Sequence, residues 1–529
     1  MSSYLARLNP IPGFPGYSGP HKVGTVDVEI PISELPSPCP VPDGAQDIHT
    51  ILFRIFYPTS SEAKGKEITW LPNPQRQYLM GYGFFMGASP LLSSLASFVP
   101  RYLHYVTIPA IKNAPLISPA AKDGRWPTMI FSHGLAGSRN SYSQLAGSLA
   151  SHGVVVICPE YRDGSAIATV VRDPVALSEY QGGLFAQRPR SAGVVYRNLP
   201  HTPSREISEA RDAQLRVRAW ETGLLYEALV KIDEGKAESM TNLNTSTPAE
   251  ALSRFTNRLD VQEPGKVIWA GHSFGAATIT QVVKSTYYAD RPQVKSIANP
   301  IFAVKESAKI RQQITNQSVA ILLDMWCLPM ISPDQTALYK LPLPCYDVNA
   351  SNSPGGNALL AVESDAFFKW TEHLHTKAMI LSPSPTAVPP VSASAFDEPG
   401  FSRPSWFYVK DSAHMSQSDF ATLFPWLVRR VFNGHAPERV VRLNLRAVLQ
   451  TLRRNGHSVA PTCAADLADG DEPTVAKAAA AGGLEDDPAI LDSKVADLKA
   501  IDAWTHIDVV GLGLKSAAAA TQTTNVDEK

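Results

Sequence analysis

Val267-Ile268-Trp269-Ala270-Gly271-His272-Ser273-Phe274-Gly275-Ala276-Ala277-Thr278 is the stretch that decides how this chain is read. An apolar strand runs straight into Gly-x-Ser-x-Gly, and a run of small residues suited to a helix start follows. Crowding explains the glycines. Gly271 and Gly275 let strand and helix backbones approach without clashing Cβ atoms, and Ser273 between them occupies a sharp, strained turn. Such a turn lifts the Ser273 hydroxyl above the sheet edge and sets backbone N–H groups beside it at a helix N-terminus. The pentapeptide alone recurs by chance in many loops. Strand before and helix after make Ser273 a candidate nucleophile.

A serine hydroxyl needs a base to take its proton and a carboxylate to hold that base in the right tautomer. In α/β-hydrolases these follow in the order serine, acid, histidine, each on a loop after a strand. Asp324 directly follows the strand-like Val319-Ala320-Ile321-Leu322-Leu323, and His414 follows Trp406-Phe407-Tyr408-Val409 in the loop Lys410-Asp411-Ser412-Ala413-His414. Order and context select Asp324 and His414, with Asp347, Asp365, His373 and His375 as rivals. Two backbone N–H groups must also stabilise the oxyanion. Phe274, next after the serine, supplies one; the loop Ser132-His133-Gly134-Leu135-Ala136-Gly137 supplies the other, with Leu135 as the expected donor.

Working outward, residues 1–45 are rich in proline and glycine and read as an extended arm. Ile51–Pro58, Trp126–Gly134 and Gly153–Glu160 read as strands, Ser143–Ser151 as a helix, and Arg211–Ile232 as a long helix with an apolar face. This alternation implies a parallel sheet. Tyr78–Ile111 is densely apolar and reads either as a core helix or as a lid lying beside the active site. Pro383–Pro399 reads as a surface insertion. Beyond residue 460 the composition turns acidic, then alanine-rich, then small and polar, with one helix or turn expected near Ile501-Asp502-Ala503-Trp504. The expected fold is an α/β-hydrolase: a mostly parallel central sheet with helices on both faces, insertions, and a loosely ordered C-terminal tail. One catalytic domain is expected over 1–460, and a low-complexity tail over 461–529.

The chain has 529 residues and a formal net charge of −1, which offers no global basic field for nucleic acid. Its five cysteines (Cys39, Cys158, Cys327, Cys345, Cys463) are scattered, with neither a disulfide framework nor a metal-ligand spacing. No metal or other cofactor is called for. The N-terminus carries no apolar signal core, no run of 18 apolar residues occurs, and lipidation signals are missing. A reducing, cytoplasmic setting is expected.

Taken together, Phe131-Ser132-His133-Gly134-Leu135, Tyr161-Arg162-Asp163-Gly164-Ser165-Ala166, Arg211-Asp212-Ala213-Gln214-Leu215-Arg216-Val217-Arg218, the Ser273 elbow with Thr278, Leu323-Asp324-Met325-Trp326…Pro329 and Ser412-Ala413-His414…Asp419-Phe420 resemble the platelet-activating factor acetylhydrolases of the plasma and intracellular type II kind. The similarity runs over roughly residues 20–435. It implies a calcium-independent phospholipase of A2 specificity, a 1-alkyl-2-acetylglycerophosphocholine esterase that cleaves acetyl, short or oxidised sn-2 acyl groups. Carried over by position, Ser273 is the nucleophile, Asp324 the acid, His414 the base, and Leu135 and Phe274 the oxyanion donors. A phospholipid substrate and peripheral contact with a lipid surface follow; the oligomeric state does not. Ala276 departs from the family's usual second glycine, and residues 296–318 look like an insertion. A general carboxylesterase or lipase shares all these residues, and a catalytically dead hydrolase-fold binding protein is the reading from another class.

Overall fold

The computed structural model describes residues 13–89, 103–119, 123–178, 192–244, 247, 249–347, 349–350, 352–386, 402–462, 490–491 and 503–508. Its strands are β1 (Lys22–Pro31), β2 (Thr50–Thr59), β3 (Glu67–Thr69), β4 (Thr107–Lys112), β5 (Trp126–Ser132), β6 (Val155–Pro159), β7 (Ala168–Val171), β8 (Ala192–Val195), β9 (Leu259–Asp260), β10 (Ile268–His272), β11 (Ala320–Leu323), β12 (Leu359–Ser364), β13 (Ser405–Val409) and β14 (Trp504–His506). Twelve of them form one sheet in the order β14-β13-β12-β11-β10-β5-β6-β2-β1-β4-β3, with β9 beside β5. β7 and β8 form a separate two-stranded antiparallel sheet.

From β6 through β5, β10, β11 and β12 to β13 every neighbour is parallel. All residues of β5, β6, β10, β11 and β12 are buried. Apolar runs such as Val155-Val156-Ile157 and Ile321-Leu322-Leu323 are what a sheet covered on both faces requires. From β5 the chain passes through helix Ser143–Ser151 to β6 on one side. It then returns through helix Arg205–Asp233 to β10 on the other side of β5. Right-handed crossovers in opposite directions put those two helices on opposite faces. The helix Phe274–Tyr287 packs with Arg205–Asp233, and Pro437–Arg454 packs with Ser143–Ser151. Between β5 and β10 the winding direction reverses, and the carboxyl ends of strands flanking such a point open a crevice for ligands.

Several elements depart from expectation. The proline-rich arm contains β1, paired residue for residue with β2 along its whole length; Val26, Val28 and Ile30 alternate with Asp27 and Glu29 and face the core. Tyr78–Ile111 is not one helix: Gln75–Phe85 is helical, Leu103–Tyr105 is a 3-10 turn, and Thr107–Lys112 is β4. Residues 90–102 lie outside the described residues, as do 387–399 of the expected Pro383–Pro399 insertion. Residues 296–318 send Ile301, Phe302, Ile310 and Ile314 into the main core. In the C-terminal segment, Trp504–His506 is a strand rather than a helix or turn, antiparallel to β13. Trp504 is fully buried, stacks on Phe407 with ring centroids 4.8 Å apart, and donates from Nε1 to the Ile490 carbonyl at 2.8 Å. This stretch of the tail is therefore built into the sheet edge, because an indole of that size stabilises most when fully buried. Among the described residues no helix is long and apolar enough to cross a membrane.

Candidate active site

Ser273 lies in the turn between β10 and helix Phe274–Tyr287 with φ 56° and ψ −120°, a backbone region costing a non-glycine residue about 1–3 kcal/mol. The surroundings hold it there. Its N–H donates to the Leu323 carbonyl at 2.9 Å, and its own carbonyl accepts from Ala276 at 3.1 Å and Trp326 at 3.2 Å. The flanking glycines are needed for the reason read from sequence. A Cβ on Gly275 would stand 2.0 Å from the Ser132 carbonyl oxygen, and one on Gly271 would stand 2.5 Å from the Gly275 carbonyl carbon. Ala276 is fully buried, so the fold accommodates the methyl group at that position.

The structure brings the three residues expected from chain order into one hydrogen-bonded line. His414 Nε2 is 3.0 Å from Ser273 Oγ, and His414 Nδ1 is 2.9 Å from Asp324 Oδ2. Asp324 is fully buried at the end of β11, and its other oxygen accepts from the Ser364 N–H at 2.6 Å. Burial alone would raise the Asp324 carboxyl; the hydrogen bond and charge of His414, with the nearby Lys377 cation, outweigh it and hold the group below the usual carboxylate value. An anion there keeps the proton of His414 on Nδ1 and leaves Nε2 free to accept from Ser273.

The base is clamped on both faces. Phe367 stacks on the His414 ring at 4.2 Å and 4°, and His272 lies against it at 4.5 Å and 32°. His272 Nδ1 is 2.7 Å from the Tyr142 hydroxyl, which also accepts from the Gly134 N–H at 3.1 Å. Burial, helped by the neighbouring His414 ring, holds His272 well below the usual histidine value, so it stays neutral. Asp419 ties the loop after His414 to the N-terminus of helix Ser143–Ser151, accepting from the Ser143 and Gln144 N–H groups at 2.8 and 2.9 Å and from Trp70 Nε1 at 3.1 Å. Burial pushes its carboxyl up to about 6 in spite of those donors.

Leu135 and Phe274 both flank the serine, and neither backbone N–H has a partner among the described residues. The rivals serve elsewhere. His373 accepts from the Cys327 N–H at 2.8 Å and stacks on Trp370, Asp365 pairs with Lys369, and Asp347 accepts from the Tyr287 hydroxyl at 2.7 Å. His375 is outside the cluster. Sequence reading misses Ser364, Phe367 and the buried Lys377–Glu363 pair, all of which come from β12 and the helices after it. The only signal for them is the apolar run Leu359-Leu360-Ala361-Val362.

Ser273 and His414 face a cavity of about 250 Å³ whose wall includes Trp70, Tyr82, Phe85, Tyr196, Trp326 and Trp370. None of its described lining residues is a lysine, arginine, aspartate or glutamate. His272, Asp324 and His414 bring donor atoms within 4.8 Å of one another, a spacing that also suits a metal ion. Here His414 and Asp324 are engaged by Ser273, Ser364 and each other, which suits acyl transfer.

Among known proteins, a putative phospholipase A2 of Schizosaccharomyces pombe is 27% identical over 456 residues, covering 83% of this chain and 92% of that protein. The platelet-activating factor acetylhydrolase of the dog, Canis lupus familiaris, is 27% identical over 297 residues, covering 56% of this chain and 54% of that enzyme, so the match spans about half the animal enzyme's length. A solved ferulic acid esterase from Streptomyces cinnamoneus covers 83% of this chain and 91% of its own at 15% identity, but with a TM-score of 0.42 the likeness carries no weight. The family described as platelet-activating factor acetylhydrolase, isoform II, matches residues 8–462. By that match, over far more than half its length, the chain belongs to the platelet-activating factor acetylhydrolase isoform II family.

Proposed function

We propose that the protein is a calcium-independent serine hydrolase that removes acetyl or other short sn-2 acyl groups from glycerophospholipids, with Ser273 as nucleophile, His414 as general base and acid, and Asp324 as the group that orients it. The carrying observation is the hydrogen-bonded Ser273–His414–Asp324 line opening onto a small aromatic cavity. Ser273 Oγ attacks the ester carbonyl carbon as its proton passes to His414 Nε2. The carbonyl oxygen, now anionic, is held by the Leu135 and Phe274 N–H groups. The C–O bond to glycerol breaks, and His414 Nε2 returns the proton to the departing sn-2 oxygen. Water, deprotonated by the same nitrogen, then hydrolyses the acyl-serine. No step calls on a metal ion or other cofactor.

Cavity size supports the preference for short acyl groups, since 250 Å³ lies below the ~300–1,000 Å³ of sites that enclose drug-sized ligands. With EDTA present, kcat/KM for 2-acetyl phosphatidylcholine should exceed that for the 2-palmitoyl lipid by at least about tenfold. Equal rates would overturn the acyl assignment. The second reading, a general carboxylesterase, is favoured by the lack of charged lysine, arginine or carboxylate side chains in the described wall. It is supported if p-nitrophenyl butyrate is cleaved and neither lipid is.

Peripheral contact with a lipid surface belongs to the same proposal. Phe85 at the cavity rim is 48% exposed and Trp370 45%, while helix Pro425–Phe432, soon after lining residue Phe420, leaves Trp426 60% and Phe432 49% exposed. Arg429 and Arg430 stand on the same helix. Exposed aromatics beside basic residues favour the interface of a bilayer. Trp426→Ser combined with Phe432→Ser should lower binding to phosphatidylcholine vesicles while soluble-ester turnover stays within about twofold of the parent; an unchanged vesicle affinity would remove this face from the proposal. The buried free thiols of Cys39, Cys158, Cys327 and Cys345 support a reducing, cytoplasmic setting.

A further inference from the structure

Two oxyanion donors from different segments are useful only if their spacing is held, because hydrogen bonds to a developing charge fall off steeply with misplacement. Leu135 comes from the loop after β5, and Phe274 from the turn after β10. Between them, in the middle of helix Arg205–Asp233, lies the fully buried Arg218.

Its guanidinium fork reaches both segments. Nη1 donates to the His133 carbonyl at 2.8 Å, two residues before Leu135, and to Thr278 Oγ1 at 3.2 Å, one turn beyond Phe274. Nε donates to Asp163 Oδ2 at 3.1 Å, and Nη2 to Ser165 Oγ at 2.6 Å. The guanidinium carbon lies 4.4 Å from the ring centre of Tyr161 and 4.5 Å from that of Phe274, so the donor residue's own side chain packs on it. The side chains of Arg218 and Asp163 are both fully buried.

The loop that carries Leu135 is tied to the same group. Ala136 donates from its N–H to the Ser165 carbonyl at 2.8 Å, and Ile167 donates to the Gly137 carbonyl at 2.9 Å. Asp163 Oδ1 accepts from the Ser165 N–H at 3.1 Å, which fixes the turn that offers that carbonyl. His133 Nε2 accepts from the Tyr161 N–H at 3.3 Å, so its proton sits on Nδ1 and goes to the Gly134 carbonyl at 2.7 Å. The Leu135 loop is therefore bound to the 161–167 segment, and Arg218 grips that segment at Asp163 and Ser165.

We infer that the Asp163–Arg218 pair is the positioning element that sets the distance between the Leu135 and Phe274 N–H groups, so that Arg218 acts on the oxyanion without touching it. The inference rests on the assignment of those two donors and of Ser273. Tyr161-Arg162-Asp163-Gly164-Ser165 and the helix segment ending in Arg218 then have a chemical reason to occur together.

The test is Arg218→Lys in the full chain, which keeps a cation against Asp163 but replaces a fork of five N–H donors by one ammonium that cannot reach all four acceptors. Arg216→Lys, on the same helix and bonded among the described residues to the Asn299 and Pro300 carbonyls, is the control. Active sites are counted by fluorophosphonate titration, and kcat, KM and the phosphonylation rate are measured per site. Arg218→Lys should lower kcat by about 10²-fold with KM within about threefold, and slow phosphonylation in parallel, since the phosphoryl oxygen needs the same two donors. A merely structural arginine would lower the melting temperature and the number of sites but leave kcat per site unchanged, and that result overturns the inference. So does a fall in kcat with undiminished phosphonylation. Should the lysine variant not fold, Asp163→Asn carries the same test, with a fall of about tenfold expected and unchanged kcat per site overturning it. Failure of the wild type to be labelled at Ser273 would instead sink the nucleophile assignment on which the inference rests.

Discussion

Ser273→Ala should lower kcat on 2-acetyl phosphatidylcholine and on soluble esters alike by at least about 10⁴-fold, because no other described group stands within reach of His414 Nε2 to attack an acyl carbon. The fold should not suffer. Alanine keeps the Cβ that the elbow already accommodates at φ 56°, and the hydroxyl's one described hydrogen bond is to His414. Stability should stay within about 0.5 kcal/mol of the parent or rise slightly, as expected where a strained functional residue is simplified. Intact-protein mass after a fluorophosphonate probe gives the second readout: wild type gains one adduct on Ser273, and the variant gains none. A variant that keeps both fold and activity would move the chemistry to another residue. A wild type that stays unlabelled while folded would favour the dead-hydrolase reading.

The parts of this site that are legible in the sequence share one property: each is written in adjacent residues. The elbow needs glycine on both sides of serine within five positions, and crowding by neighbouring backbone explains why nothing else serves there. Asp324 and His414 each follow an apolar run closely, so strand ends can be counted without knowing how strands pair. What the sequence conceals depends on pairing. β12 does not stand out along the chain, and with it go Ser364, whose N–H steadies Asp324, and Phe367, which lies flat on His414. β1 hides inside a proline-rich arm because its Val26-Asp27-Val28-Glu29-Ile30 alternation spans few residues and carries two carboxylates. Those carboxylates are answered from a distance, Asp27 by Arg54 and Arg139 and Glu29 by Arg162 and Arg172. Trp504 reads as part of a helix or turn in a low-complexity tail. Only the edge of β13 explains why it is buried. Long-range ion pairs and edge strands leave no local periodicity, so a reading along the chain passes over them.

Asp324→Asn is the sharper test of the chemistry, since it changes one proton and almost no volume. The asparagine oxygen will stay toward the Ser364 N–H, which needs an acceptor in a fully buried place. Its NH₂ group then faces His414 Nδ1, a donor where an acceptor stood. The ring must respond by moving its proton to Nε2, the nitrogen that has to receive the proton of Ser273. Catalysis should drop by about 10⁴-fold with little change in KM, as expected when a base is locked in the wrong tautomer. Backbone strain will not confuse the result: Asp324 has φ 42°, and asparagine tolerates the left-handed region as well as aspartate does. The pH dependence of stability supplies an independent check of the carboxylate. Because the folded-state carboxyl lies below its usual value, its ionisation stabilises the wild type above the unfolded-state pKa, and that contribution is lost as pH falls through the folded-state value. The stability gap between wild type and Asp324→Asn should thus be widest near neutrality and close in acid. Asp347→Asn, which disturbs only the carboxylate held by Tyr287 and Arg291, should leave kcat within about twofold of wild type. If instead Asp324→Asn costs less than about tenfold while the Asp347 variant is inactive, the acid has been misassigned and the His414–Asp324 hydrogen bond serves structure alone.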